Sequence, residues 1–81
     1  MKKDFELEFQ YQLYLKRVSL KEEKMHPEQK KQLREAFYGA CGQMLILLRD
    51  DLGALENEEA TIVYKNMVQQ VSNFFLKSTQ N

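Results

Sequence analysis

The stretch that decides the fold is residues 29–52, QKKQLREAFYGACGQMLILLRDDL. Apolar side chains recur there every three or four positions, which is the spacing of one face of an α-helix. That face consists of Phe37, Cys41, Met44, Leu48 and Leu52, and Tyr38 and Leu45 widen it. The pattern predicts one long helix. Because the run at 45–48 is apolar on every side of that helix, we expect this helix to be the most buried of the chain.

Two glycines, Gly39 and Gly42, lie on a second strip of the same helix. Each glycine inside a helix costs about 1 kcal/mol relative to alanine. A close contact should offset that cost, since a surface without side chains lets a neighbour approach. We therefore predict that Gly39 and Gly42 form a close-packing surface within the fold, and a bound small ligand is the alternative.

Residues 4–20 are compatible with two kinds of secondary structure. Apolar and polar residues alternate from Phe5 to Leu13, which is typical of a strand. The abundant Glu, Gln, Leu and Lys residues favour a helix, and no turn signal follows that would return a hairpin. We predict a helix. Its apolar residues then form two opposite stripes, one of Phe5, Phe9, Leu13 and Leu20 and the other of Leu7, Tyr11, Tyr14, Leu15 and Val18.

A helix that is apolar on two faces is covered on both faces. In a chain of 81 residues the second cover is expected from another subunit. If Phe5, Phe9 and Leu13 pack inward, the predicted contact between subunits consists of Leu7, Tyr11, Tyr14 and Val18. The residues alone leave open which stripe faces inward. A symmetric homodimer is the simplest closed arrangement, so we expect a homo-oligomer with a dimer favoured.

Local signals divide the remaining chain. Ser19 has the spacing of a capping box with Glu22, and Pro27 suits the first position of the second helix. Gly53 is expected to end that helix, and Asn57 to cap a third. The third helix has one broad apolar stripe, made of Ala60, Val63, Tyr64, Met67, Val68, Val71, Phe74 and Phe75. The prediction is an all-α, three-helix fold in a single domain covering residues 1–81.

The overall charge favours neither a nucleic-acid nor a membrane partner. Twelve basic residues balance twelve acidic ones, and no apolar run is long enough to span a bilayer. The lone cysteine, Cys41, lies on the apolar stripe and has no internal disulfide partner, so we expect a buried, unreactive side chain in a reducing, cytoplasmic setting.

Catalytic and metal-binding patterns are not evident. With one histidine and one cysteine, a zinc site would need mostly carboxylate ligands, and no glycine-rich phosphate loop is present. We therefore expect no enzymatic activity and no cofactor. The possible partner patch is Lys30, Lys31 and Arg34. The predicted function is a macromolecule-binding module of the adaptor or inhibitor type that acts by protein–protein interaction. The alternative is nucleic-acid binding through the basic cluster between Lys16 and Arg34.

Overall fold

The computed structural model describes residues 2–78, which form three α-helices joined by short turns. Helix α1 spans Leu7–Arg17, α2 spans Pro27–Asp50 and α3 spans Asn57–Ser78. Single 3-10 turns precede each helix, at Lys3–Phe5, Glu22–Lys24 and Leu52–Ala54. No strand occurs among the described residues, so the prediction of an all-α, three-helix fold is confirmed.

The ambiguous first segment is a helix, although it is shorter than residues 4–20. Glu6 has an extended backbone and delays the start of α1 to Leu7. At the other end Ser19 takes a left-handed conformation with φ 58°. The Leu20 N–H donates to the Leu15 carbonyl at 2.9 Å and the Ser19 N–H donates to the Lys16 carbonyl at 3.2 Å. This pairing is a Schellman motif, so Ser19 terminates α1 and does not open a capping box.

The two ends of α2 depart differently from the sequence expectation. Pro27 is the first residue of α2, as its fixed φ and missing N–H predict. Gly53 was expected in the left-handed position after the helix, but α2 ends at Asp50 and Gly53 lies in the following 3-10 turn without a positive φ. Arg49 donates to the Asp50 carboxylate at 2.7 Å, which offsets a negative charge at the helix end.

By its contacts the chain divides into two compact units, one up to Met44 and the other from Leu45 onward. In the first unit Tyr11 and Leu15 of α1 form the core, and they are the buried apolar side chains of the described residues. Phe37 of α2 lies half-buried against the Tyr11 ring. The second unit contains the end of α2, the turn at Leu52–Ala54 and α3.

The expectation that α2 is the most buried helix is wrong. Of the described side chains, those of α2 include none that is buried, whereas α1 supplies both buried ones. Within the apolar run at 45–48 only Leu47 is half-buried, and Leu45 is 52% exposed. A helical segment that is apolar on every side is buried only if other elements pack against all of its sides. The periodicity of the sequence does not show whether such elements are present.

Candidate interaction surface

Aromatic rings join α1 to the N-terminal half of α2. The Tyr11 ring meets the Phe37 ring edge to face, with centroids 5.2 Å apart, and the Tyr14 ring lies 5.6 Å from the same Phe37 ring. The Tyr38 ring is 6.4 Å from Tyr11. Such ring pairs contribute beyond their buried area. The stripe of α1 that contains Tyr11 and Leu15 is therefore the inward one.

A single arginine completes this junction. Arg34 donates to both oxygens of Glu22, at 2.8 and 3.1 Å, and to both oxygens of Glu8, at 2.8 and 3.0 Å. Because the guanidinium is planar and carries several N–H donors, it can satisfy two carboxylates at once. Arg34 of α2 thus connects α1, through Glu8, with the turn that contains Glu22.

Two tyrosine hydroxyls extend the network around Arg34. Tyr11 Oη donates to Glu22 at 2.9 Å, and Tyr38 Oη donates to Glu8 at 3.0 Å. Hydrogen bonds from Arg34 lower the pKa of the Glu8 carboxyl to about 2, with a further contribution from Gln12, and they also lower the pKa of Glu22. Both carboxylates are charged at neutral pH, and the network holds the first unit together.

The predicted partner patch of Lys30, Lys31 and Arg34 needs correction. Arg34 is half-buried and its donors are already used by Glu8 and Glu22, so it is not available to a partner in this arrangement. Lys30 and Lys31 remain exposed, and Lys31 lies 4.0 Å from Glu35 one turn away. The sequence does contain a hint of the inward position, since Arg34 precedes Phe37 and Tyr38 by one helical turn on the same face.

The predicted subunit contact on α1 also changes. Tyr11 has no exposed surface and is enclosed within its own chain, so it cannot contact a second subunit as assigned. Leu7, Tyr14 and Val18 lie partly exposed at the margins of the same inward stripe. On the opposite stripe, Phe5 is 71% exposed. Phe9 and Leu13 of that stripe are half-buried, so α1 is partly covered on both stripes, and its two buried residues, Tyr11 and Leu15, lie on the stripe that was predicted to face outward.

Close packing at the two helix glycines is not found within the chain. A Cβ atom placed on Gly39 or Gly42 would meet nothing within 4 Å. The prediction that these glycines form a close-packing surface inside the fold is therefore wrong for the described residues. Cys41, between them, is half-buried and not fully buried.

An exposed apolar surface follows α3. On the predicted stripe Tyr64 is 57%, Val68 47%, Val71 57% and Phe74 65% exposed, and off the stripe Ile62 and Leu76 are each 60% exposed. Among the described side chains none in α3 is buried. The sequence correctly placed the stripe residues on one face, but as core residues and not as a candidate contact surface. Their spacing of three or four residues was the available signal.

An apolar hollow adjoins the start of this stripe in the second unit. It has a volume of about 350 Å³ and is lined by Leu47, Asp51, Leu52, Leu55, Val63 and Met67. Met67 and Leu55 are half-buried there. Val63 and Met67 belong both to the hollow and to the stripe. The apolar surface therefore combines a concave part, the hollow, with a convex part, the helix face.

Other site types find little support in the described part of the chain. Residues 2–78 contain no cluster of three or more His, Cys, Asp or Glu side chains placed to hold a metal ion. Across the same residues, none of the helices combines the length and apolar character needed to cross a bilayer. No family model, curated protein or solved structure matches this chain. Fold and surface together define its class as a small all-α protein with an open apolar helix face.

Proposed function

We propose that this protein is a protein-binding module, of the adaptor or inhibitor type, whose contact surface is the apolar stripe of α3. The observation that supports the proposal is the exposure of Tyr64, Val71 and Phe74 along one face of that helix. Contiguous exposed apolar surface is typical of protein–protein contact sites, and aromatic side chains are enriched at the centres of such sites.

The small core gives a physical reason for a partner. The two buried side chains of residues 2–78, Tyr11 and Leu15, contribute little hydrophobic stabilisation against the conformational entropy of ordering a chain of this length. A partner that covers the α3 stripe would remove further apolar area from water, at roughly 25 cal/mol per Å². Binding would then stabilise the folded state by mass action.

The charge distribution supports a protein partner over a nucleic acid. The chain has zero net charge, and Arg34 of the predicted basic patch is held by two glutamates. Nucleic-acid affinity depends on cations that are free to replace counterions at phosphates. The proposed role is binding and not catalysis. A reducing, cytoplasmic setting belongs to the same proposal and is supported by the lone, half-buried Cys41.

A matched pair of variants tests the proposal. Val71→Lys places a charge in the stripe, and Asn66→Lys places the same charge on the exposed opposite side of α3. Lysine is a good helix former, so both variants should keep the helix. Each form is used as bait in an extract of the native host, and retained proteins, including copies of the chain itself, are quantified by mass spectrometry.

The expected result is a protein that is retained by the unmutated chain and by Asn66→Lys but lost from Val71→Lys. Circular dichroism has to show equal helix content for the two variants. Equal retention of every bound protein by both variants would contradict the assignment of the contact surface to α3.

A further inference from the structure

We infer that the occupant of the α3 stripe is a second copy of this chain, with the two α3 helices packed antiparallel. The inference rests on the proposed function and specifies its partner. It differs from the dimer predicted from sequence, because the contact lies on α3 and not on α1.

The spacing along α3 fits a partner that is itself a helix. Alternating steps of four and three residues connect Ala60, Tyr64, Met67, Val71, Phe74 and Ser78. These are the a and d positions of a heptad pattern, which form the seam between two supercoiled helices. The 22 residues of α3 extend for about 33 Å, which gives room for three turns of paired seam residues on each side of the centre.

Side-chain sizes along the seam match in the antiparallel direction. Each a residue faces a d residue of the other helix, which pairs Met67 with Val71, Tyr64 with Phe74 and Ala60 with Ser78. Large aromatic residues thus meet each other on both sides of an aliphatic centre, and small residues meet at the ends. Aromatic pairs of this kind add to the stabilisation from buried area.

The charges at the ends of α3 also favour the antiparallel direction. Glu56, Glu58 and Glu59 lie at the N-terminal end, and Lys77 lies in the last turn. Antiparallel packing places the acidic end of each helix beside the Lys77 end of the other, within the distance over which charges interact in physiological salt. Parallel packing would gather six glutamates at one end. Opposed helix dipoles favour the same arrangement.

Sedimentation equilibrium of the full-length chain at several concentrations tests the stoichiometry. The expected result is a reversible dimer. Val71→Lys should weaken dimerisation by roughly tenfold or more, because it buries an unpaired charge in the seam, whereas Asn66→Lys should leave the dissociation constant unchanged. A monomer mass for the unmutated chain at tens of micromolar would overturn the inference, and so would equal effects of the two variants.

Disulfide cross-linking tests the direction. On a Cys41→Ala background, whose dimerisation is checked first, one preparation contains Met67→Cys and another contains Val71→Cys. Antiparallel packing places position 67 of one chain beside position 71 of the other. A mixture of the two variants should therefore form a disulfide between chains under mild oxidation, whereas each variant alone should form little. Efficient cross-linking of each variant with itself would show parallel helices and overturn the inference.

The two proposals can fail separately. If the purified chain is monomeric while Val71→Lys still loses a different protein from the host extract, the second-copy inference fails and the binding role of α3 stands. If Val71→Lys changes neither the sedimentation nor the retained proteins, both proposals fail.

Discussion

The guanidinium carbon of Arg34 lies 4.7 Å from the centroid of the Tyr11 ring. The same guanidinium binds Glu8 and Glu22, so one cation covers the face of the buried tyrosine and bridges the two carboxylates beside it. Bidentate pairing with carboxylates is a geometry that the planar guanidinium of arginine achieves and a lysine ammonium does not. The position of α1 on α2 therefore depends on the side chain at residue 34.

Replacing Arg34 should lower the thermal midpoint of unfolding. Arg34→Gln leaves Glu8 and Glu22 close together without their shared cation, and it removes the cover of the Tyr11 ring. Lys30→Gln, which removes an exposed charge one turn earlier on the same helix, is the matched control and should change stability little. Thermal unfolding followed by circular dichroism compares the two. Equal midpoints would show that the network contributes no stability.

Acid should weaken the protein through the same two carboxylates. The native pKa of Glu8 is about 2, below the ordinary 4.5, and that of Glu22 is also lowered. A lowered native pKa means that the unfolded chain binds protons more readily. The stability from this network is therefore complete above about pH 4.5 and is lost as the pH falls toward 2. Urea unfolding between pH 2 and 7 should show that loss, and the loss should be smaller in Arg34→Gln. If the free energy of unfolding falls equally with pH in the unmutated chain and in Arg34→Gln, groups other than Glu8 and Glu22 cause the acid sensitivity.

Alanine at the helix glycines should stabilise the chain. A Cβ at Gly39 or Gly42 meets open space, and alanine reduces the entropy cost of ordering the helix. We expect each of Gly39→Ala and Gly42→Ala to raise the free energy of unfolding by about 0.5–1 kcal/mol. Urea titration at a fixed protein concentration measures the change. A decrease would indicate that these positions are closely packed in solution after all.

Glycine at position 19 should also stabilise the chain. Ser19 has a φ of 58°, which side chains with a Cβ disfavour and glycine adopts freely. Ser19→Gly is expected to raise the free energy of unfolding by up to about 1 kcal/mol. The control is Ser72→Gly in the exposed middle of α3, where the same substitution should lower stability by a similar amount. If both substitutions are destabilising, the end of α1 does not impose this backbone conformation.

Some of the candidate surface could be read from the chain alone. The spacing of Tyr64, Met67 and Val71 identifies one apolar face of α3 without any knowledge of its neighbours. The exposure of that face was not predictable, because periodicity records which side chains share a face and not what covers it. An apolar helix face is ordinarily expected to lie in the core. In α3 none of the described side chains on that face is buried.

The sequence by itself determined the helical class and the start of α2, because propensity, the start signal at Pro27 and the 3.6-residue period act between residues close along the chain. Only the tertiary structure decided which stripe of α1 faces inward. That choice depends on Arg34 reaching Glu8, 26 positions earlier, and on Tyr11 meeting Phe37. Contacts between residues so far apart leave no mark on local spacing, since they arise only when the helices pack.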